Sequence, residues 1–350
     1  MSEAGELQKI LDQGVDQGVA PAMVLLLWQG HGPRHLLAAG QAQVDTVFDL
    51  ASLTKPLATA PLALELEQEG VLPWSADLGG LWGGAVPADK EAITVRQLLT
   101  HAAGYPAYEP YYQALQRVLP AVRPGLLKAM LMNEPLLSPP GRQAVYSDLG
   151  YLLLGLLLAE GFGQGLEHSL TGLYQRLGVE GPCYLPLGRP LPWPLGRIAP
   201  CGRQPDRQEI HGQVEDENAF FLGGVAGHAG LFGSAGQVAA VTDALCRAAQ
   251  GQGPWPAAAA ARLFAVDQDT PGSGRTPGFD TPSGPASAAG PNAPAGTVGH
   301  LGFTGCSLWW HPASNRGVVL LTNRVALGRD NDKIHSFRRQ VHELAWRALD

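Results

Sequence analysis

Ser52 and Lys55 stand three residues apart in the stretch Phe48 to Lys55, Phe-Asp-Leu-Ala-Ser-Leu-Thr-Lys, and that pair is the first place where this chain could do chemistry. A serine hydroxyl is a weak nucleophile until a neighbour takes its proton, and a lysine can do this only where burial holds its amine partly neutral. Leu50, Ala51, Leu53 and Leu57 would supply the dry setting. Pro56 lacks an N–H and fits only the first turn of a helix, so it predicts a helix starting at Ser52 and running on through Leu57 to Glu69, with a kink at Pro61. A serine at that start sits where backbone N–H groups point outward and favour developing negative charge, with Lys55 on the same face. The plainer alternative is a helix N-terminus beside a solvated lysine. Among Lys9, Lys55, Lys90, Lys128 and Lys333, Lys55 alone has a serine three residues before it.

Two later stretches could complete such a site. In Val145-Tyr146-Ser147-Asp148-Leu149-Gly150, a phenol on a tight turn beside a lysine could relay protons; read alone, Tyr146 is a core tyrosine with a satisfied hydroxyl. In Gly299-His300-Leu301-Gly302-Phe303-Thr304-Gly305, glycines would let a substrate lie against the backbone at the head of a strand. A free N–H at Phe303 could pair with that of Ser52 as an oxyanion hole. His300 read alone is a structural histidine.

In order and approximate spacing, Ser52-x-x-Lys55, Tyr146-x-Asp148 and His300-x-Gly302 resemble the three motifs of the serine β-lactamase and penicillin-binding-protein superfamily. The chain looks most like the branch of class C β-lactamases, esterases and D-stereospecific peptidases, and the resemblance extends through Ile93 to His101 and Gly223 to Gly230. It implies an α/β (α+β) fold, an antiparallel sheet built from both chain ends and flanked by helices, plus an all-helical insertion domain with the active site in the cleft between. It further implies Ser52 as the acylated nucleophile, Lys55 as its base, Tyr146 as the proton carrier to the leaving group, His300 among the catalytic residues, and Asp148, Leu301 and Gly302 against the substrate. His101 and His228 fall in matching segments and read as structural.

Two departures bear on substrate. The third motif often has lysine and then a hydroxyl, where this chain has His300 and Leu301, which removes a fixed cation for a substrate carboxylate. The second often ends in asparagine, where Asp148 adds negative charge and would favour a neutral or cationic leaving group. Both point toward an esterase, amidase or peptidase acting through an acyl-enzyme on a small ester, amide or D-amino-acid peptide. The alternative is a non-catalytic binding protein that keeps the cleft. A metal hydrolase is disfavoured by the absence of H-E-x-x-H and the scatter of ten histidines.

The composition agrees with a small-molecule or peptide substrate. A net charge of −7 with no basic run argues against nucleic acid or an anionic membrane as partner, and leaves oligomeric state open. The N-terminus has neither a basic nor an apolar leader region, and the longest apolar runs, Ala22–Trp28 and Tyr151–Ala159, fall far short of the roughly 20 residues of a membrane span, so a cytoplasmic protein is expected. Cys183, Cys201, Cys246 and Cys306 lack metal spacing and read as free, buried thiols. Neither metal nor cofactor is expected.

The elements that must position these residues read as follows. Leu7–Val15 is an amphipathic helix; Ala22–Trp28 and Arg34–Ala39 form a hairpin; Thr94–Ala102, Leu126–Met132, Tyr151–Ala159, Gln237–Gln250 and Asn331–Leu349 are helices. Residues 182–206 and 215–236 read as irregular, and Pro271 to Gly299 as a loop wrapped over the body. Thr304–Pro312 and Arg316–Asn323 pair as a second hairpin. Residues 1–50 and 215–350 are therefore expected to form the sheet domain, and 51–214 a mainly helical one.

Overall fold

A computed structural model describes residues 2–30, 32–205, 207–284 and 286–350. Its organising strand is β1, Ala22–Gln29, whose first seven residues are all buried. Successive side chains of a strand point to opposite faces, so an unbroken apolar run means that both faces are covered. Met23, Leu25 and Leu27 pack on one side against Leu7 and Leu11 of helix α1, Glu3–Asp16, and against Ile334, Phe337, Val341 and Trp346 of the last helix, Ile334–Leu349. On the other side, Val24, Leu26 and Trp28 face Val238, Val241 and Leu245 of the helix Ala235–Ala249.

Around β1 lies an antiparallel sheet of five strands. In chain order these are β1, β2 (Gly32–Gly40), and three C-terminal strands, Val298–Leu301, Ser307–His311 and Arg316–Thr322. The last of these pairs directly with β1, Leu25 opposite Leu320 and Leu27 opposite Val318, so the sheet is assembled from both ends of the chain. The expected hairpin from Thr304 is present with a shorter first strand; its turn is a 3₁₀ segment, Pro312–Ser314, closed by Asn315 in the left-handed region at φ 44°. Val298–Leu301 is an edge strand that the sequence reading merged into the loop before it. With Leu301 at its end, the Gly302 turn lies between two strands and not at the head of one.

Three short strands form a separate small sheet in the order β3, β5, β4: β3 is Phe48–Asp49, β4 Cys183–Tyr184 and β5 Leu231–Gly233. The first five-stranded-sheet strand after β5 is then β6, followed by β7 and β8. β5, together with a helix at Glu217–Phe221, corrects the reading of 215–236 as irregular. Elements of three and five residues are too short to show a period. The helices are α1, α2 (Ala60–Gln68), α3 (Leu78–Trp82), α4 (Val95–Leu99), α5 (Tyr112–Leu115), α6 (Arg123–Asn133), α7 (Asp148–Phe162), α8 (Leu166–Leu177), α9 (Glu217–Phe221), α10 (Ala235–Ala249), α11 (Ala257–Ala261) and α12 (Ile334–Leu349). α8 was not anticipated from sequence, and α7 is longer at both ends than the apolar run suggested.

α7 is apolar on every side because α2, α4, α6 and α8 surround it. Ser147 caps it, its hydroxyl accepting from the Gly150 N–H. The cap fixes where the helix starts, and with it the direction of Tyr146 and Asp148. Among the described residues no single helix is long and apolar enough to cross a membrane. Residues 271–297 contain neither helix nor strand among those described. They are tied down by Phe279 and Ala289 in the core, by mutual backbone bonds between Asp280 and Gly299, and by Trp346 donating to the Ala289 carbonyl. Cys201, Cys246 and Cys306 are buried thiols; Cys183 is partly exposed, and none is paired.

His342, on α12, locks this segment to the sheet. Its Nδ1 lies 2.5 Å from the Ala288 carbonyl, to which it donates, and its Nε2 3.1 Å from the Ser307 hydroxyl, which can donate to the neutral ring. Burial pushes its pKa down from 6.5 to about 4. The unfolded chain therefore binds a proton before the folded one does, so stability present above pH 6.5 is lost as pH falls toward 4, by on the order of 3 kcal/mol. His342→Gln keeps both hydrogen bonds without the titration, and its melting temperature should fall less than that of wild type between about pH 7 and about pH 4.5. Equal slopes in a calorimeter would contradict this account.

Candidate active site

The chain enters the site along β3. The Asp49 carboxylate accepts from the N–H groups of Ala51 (2.8 Å) and Glu215 (2.7 Å), and the Asp49 carbonyl accepts from the Thr304 hydroxyl at 2.7 Å. Ala51 is held in the left-handed region at φ 47°, a conformation that costs a non-glycine residue about 1–2 kcal/mol. The resulting bend throws Ser52 onto the first turn of a 3₁₀ segment, Ala51–Leu53.

Here the structure differs from the sequence reading of one α-helix from Ser52. A π turn, Lys55–Thr59, follows the 3₁₀ segment, and regular α-helix begins only at Ala60. The prolines explain it. Neither Pro56 nor Pro61 has an N–H to give to the fourth residue before it, and the carbonyl that Pro61 leaves unserved, that of Leu57, is taken by the Tyr174 hydroxyl at 2.9 Å. Pro61 thus falls in the first turn of α2 and kinks nothing within it.

Lys55 is wholly buried and surrounded by acceptors. Its Nζ lies 3.0 Å from Ser52 Oγ, 2.7 Å from Tyr146 OH, 2.7 Å from Asp148 Oδ1 and 3.2 Å from the His228 carbonyl. Burial draws its pKa below 10.5 despite the opposing pull of Asp148. Tyr146 OH donates to Ser52 Oγ at 2.7 Å and stands 3.1 Å from Asp148 Oδ1. Burial first, and Asp148 second, push the phenol well above its ordinary range, so it stays protonated.

Tyr146 is aimed by His101. That residue lies at φ 59°, its carbonyl accepts from the Val145 N–H (2.9 Å) and its Nδ1 from the Ser147 N–H (3.0 Å), so it grips the backbone on both sides of the tyrosine. Its ring stacks between those of Tyr146 and Tyr151, with burial holding it neutral. The glycine-rich segment 223–230 crosses α7 where a side chain would not fit: a Cβ on Gly227 would lie 2.2 Å from the Tyr151 carbonyl. That approach carries the His228 carbonyl to Lys55, while the His228 ring bonds Asp216 at 2.9 Å. Although burial alone would push Asp216 up, His228 holds it down to about 2.

The third motif forms the opposite wall. His300 is buried and neutral, its pKa well below 6.5 by burial, and its Nδ1 bonds the Leu301 carbonyl at 2.7 Å. It makes no hydrogen bond to Ser52, Lys55 or Tyr146; its ring lies 5.9 Å from that of Tyr146, and its Nε2 has no partner among the described residues. Gly302 packs against β3, where a Cβ would lie 2.7 Å from the Leu50 carbonyl. Buried Arg338 donates to the Gly302 and Cys306 carbonyls at 2.6 Å each, and Arg324 to that of Phe303 at 2.9 Å, which fixes the turn. The Phe303 N–H has no acceptor among the described residues, and the Ser52 N–H lies in a first turn, where donors lack intrahelical partners.

These groups line one cavity of about 550 Å³, with Ser52, Tyr146, Asp148, His300, Leu301, Gly302 and Phe303 among its walls. Asp148 therefore reaches the cavity, but its carboxylate is engaged with Lys55 and Tyr146. Sequence reading missed several further lining residues. Arg275 holds Asp280 at 3.1 Å and lies 5.8 Å over the Tyr146 ring, and Arg329 is paired with Glu215 and Glu217. Phe303, 44% exposed, sits between the guanidinium groups of Arg324 and Arg329. Nothing in the composition of 271–299 marks Arg275, whereas an aspartate three residues before Ala219 is a cap signal that the reading of 215–236 as irregular passed over: Asp216 accepts from the Ala219 N–H.

A model of the beta-lactamase family matches residues 7–343. The chain belongs to that family. It is 29% identical over 316 residues to a putative D-alanyl-D-alanine carboxypeptidase of Escherichia coli O157:H7, covering 81% of this chain and 70% of the relative. Similarity at 29% over 324 residues extends to an N-acetylmuramyl-L-alanine amidase of Bacillus subtilis (strain 168), covering 84% and 71%. The fold superposes on EstCE1, a hydrolase with promiscuous acyltransferase activity, with a TM-score of 0.73 at 22% identity over 97% of this chain and 98% of that one. The relatives of this beta-lactamase-family chain are thus hydrolases.

Gly302→Ala tests the turn. The added methyl must displace the Phe303 N–H from the Ser52 wall, and labelling of Ser52 by a fluorophosphonate should slow by about a hundredfold if an oxyanion donor is lost. Labelling at the wild-type rate in a variant with an unchanged near-ultraviolet circular dichroism spectrum would remove Phe303 from the site.

Proposed function

We propose that this protein is a serine hydrolase that works through a covalent acyl-enzyme on a small ester, amide or D-amino-acid peptide. The observation that carries the reading is the convergence of Lys55 Nζ, Tyr146 OH and Ser52 Oγ within 3.0 Å of one another at the cavity wall. Ser52 Oγ attacks the acyl carbon as Lys55 takes its proton; the carbonyl electron pair is received by the N–H groups of Ser52 and Phe303; Tyr146 passes a proton to the leaving group; and water reverses the sequence. Each such amide donor contributes about 3 kcal/mol in comparable sites.

On the substrate side, the neutral His300 and apolar Leu301 supply no cation, which supports an ester, amide or peptide ahead of a β-lactam. The names of the relatives, a putative D-alanyl-D-alanine carboxypeptidase and an N-acetylmuramyl-L-alanine amidase, support the amide and peptide options. Arg275 on the cavity wall is already paired with Asp280 at 3.1 Å, so a substrate carboxylate would have to compete with that side chain for it.

Intact mass after incubation with a fluorophosphonate or a penicillin should show an adduct on Ser52, and none in Ser52→Ala. In a panel of nitrophenyl esters, D-alanyl peptides and nitrocefin, Ser52→Ala should lose at least about a thousandfold in turnover. A well-folded wild-type protein that takes neither reagent, or a Ser52→Ala protein that turns over normally, sinks this reading; nitrocefin as much the best substrate would overturn the substrate class.

A further inference from the structure

Lys55 must be neutral to take a proton from Ser52, yet it lies against a carboxylate. Asp148 Oδ1 is 2.7 Å from Nζ and makes the second contact to Tyr146 OH, while Asp148 Oδ2 is in no hydrogen bond among the described residues. The other groups facing the amine are of mixed sign and less direct. Ser52 and Tyr146 are neutral partners, and the Tyr151 ring lies 5.5 Å away. His228 offers its carbonyl, its ring being engaged with Asp216, which acts on Lys55 as a second, more distant negative charge. Arg275, from the 271–297 segment, opposes protonation of the amine, and neutral His101 and His300 stand behind Tyr146 and on β6. Only Asp148 places a full charge in contact with the amine. Its position is fixed independently of any substrate, since it is the first residue of α7, behind the Ser147 cap, and its N–H is bonded to the Ala107 carbonyl at 2.8 Å.

Burial disfavours the ammonium, and an adjacent carboxylate favours it. The balance between them sets what fraction of the enzyme holds a usable base at a given pH. We propose that Asp148 is a positioning residue acting through Lys55: it holds the amine as an ammonium in the resting site and so sets the pH above which Ser52 can be acylated. This rests on the acyl-enzyme reading above, and it assigns Asp148 to the proton inventory of the site instead of to the substrate. In the acylation step the Ser52 Oγ–H bond breaks as the Oγ–acyl bond forms, the proton goes to neutral Lys55 Nζ, and the carbonyl pair moves to the oxyanion. Asp148 stays a carboxylate throughout and neutralises the ammonium so formed. Tyr146 then delivers a proton to the leaving group as the tetrahedral species collapses, and Lys55 restores it.

The sign of the effect is testable. A carboxylate that raises the lysine pKa places the acidic limb of the rate profile higher than an uncharged residue would. The rate of Ser52 labelling by a fluorophosphonate, and kcat/KM for a nitrophenyl ester, should be followed from about pH 5 to about pH 10 in wild type, Asp148→Asn and Asp148→Glu. In Asp148→Asn the limb should move down by about one pH unit or more, and in Asp148→Glu, which keeps the charge, it should stay near the wild-type position. An unmoved or raised limb in a folded Asp148→Asn protein overturns the proposal. So does loss of Ser52 labelling at every pH, which would make the carboxylate indispensable to the chemistry, and so does an equal shift in both variants, which would mark lost geometry. Should Asp148→Asn not fold, Asp148→Glu decides: a limb that leaves the wild-type position overturns the proposal, and one that stays supports it. A wild-type enzyme whose Ser52 is never labelled would instead remove the acyl-enzyme reading, and the two failures are distinct.

Discussion

One amine kept out of water is the constraint on which this structure depends. An ammonium in an apolar interior is expensive unless hydrogen-bonded and paired, and Lys55 has a serine, a phenol, a carboxylate and a backbone carbonyl within 3.2 Å. Those four acceptors come from three regions of the chain. They can meet only because α7 packs against α2, α4, α6 and α8 and the glycine segment crosses it at backbone contact. The core thus holds a charged, partly solvent-facing site with four acceptors within 3.2 Å of the amine.

That precision is bought with local departures from regular structure. Ala51 and His101 both lie in the left-handed region, and the turn that carries Lys55 is π and not α. Each departure has its own restraint nearby: Asp49 for Ala51, the paired backbone bonds to Val145 and Ser147 for His101, and Tyr174 for the carbonyl that Pro61 abandons. Strain of this kind persists only when the surroundings over-determine it. Here they do so at every one of the three positions that flank the reacting groups.

Ser52, Lys55 and Tyr146 lie within 3.0 Å of one another, and the charges around them come from several parts of the chain. Where a cation often heads the third motif, His300 is buried, neutral and turned to the Leu301 carbonyl. Positive charge enters the cavity from elsewhere, through Arg275 in a segment without secondary structure, and negative charge is added by Asp148 against the lysine. The electrostatic character of the cleft is therefore set jointly by Asp148 within the second motif and by Arg275 outside all three.

The sequence by itself determined the pairing of Ser52 with Lys55, the entry of Tyr146, the buried strand at Ala22–Trp28 and its C-terminal partner, and the capped helix from Val95, because each is encoded in local spacing, period or turn chemistry. Thr94 caps that helix, with Gln97 returning a bond to its backbone, and the glycines at 227 and 302 stand where a side chain would collide. What only the tertiary structure decided is what is carried by contacts distant in sequence: that Asp148 touches Lys55, that His300 makes no hydrogen bond to the reacting groups, that Arg275 reaches the cavity, and that Tyr174 takes the carbonyl left unserved where the turns after Ser52 depart from α geometry. Side-chain direction and local pKa depend on what packs around a residue, and that is fixed only once distant segments have met.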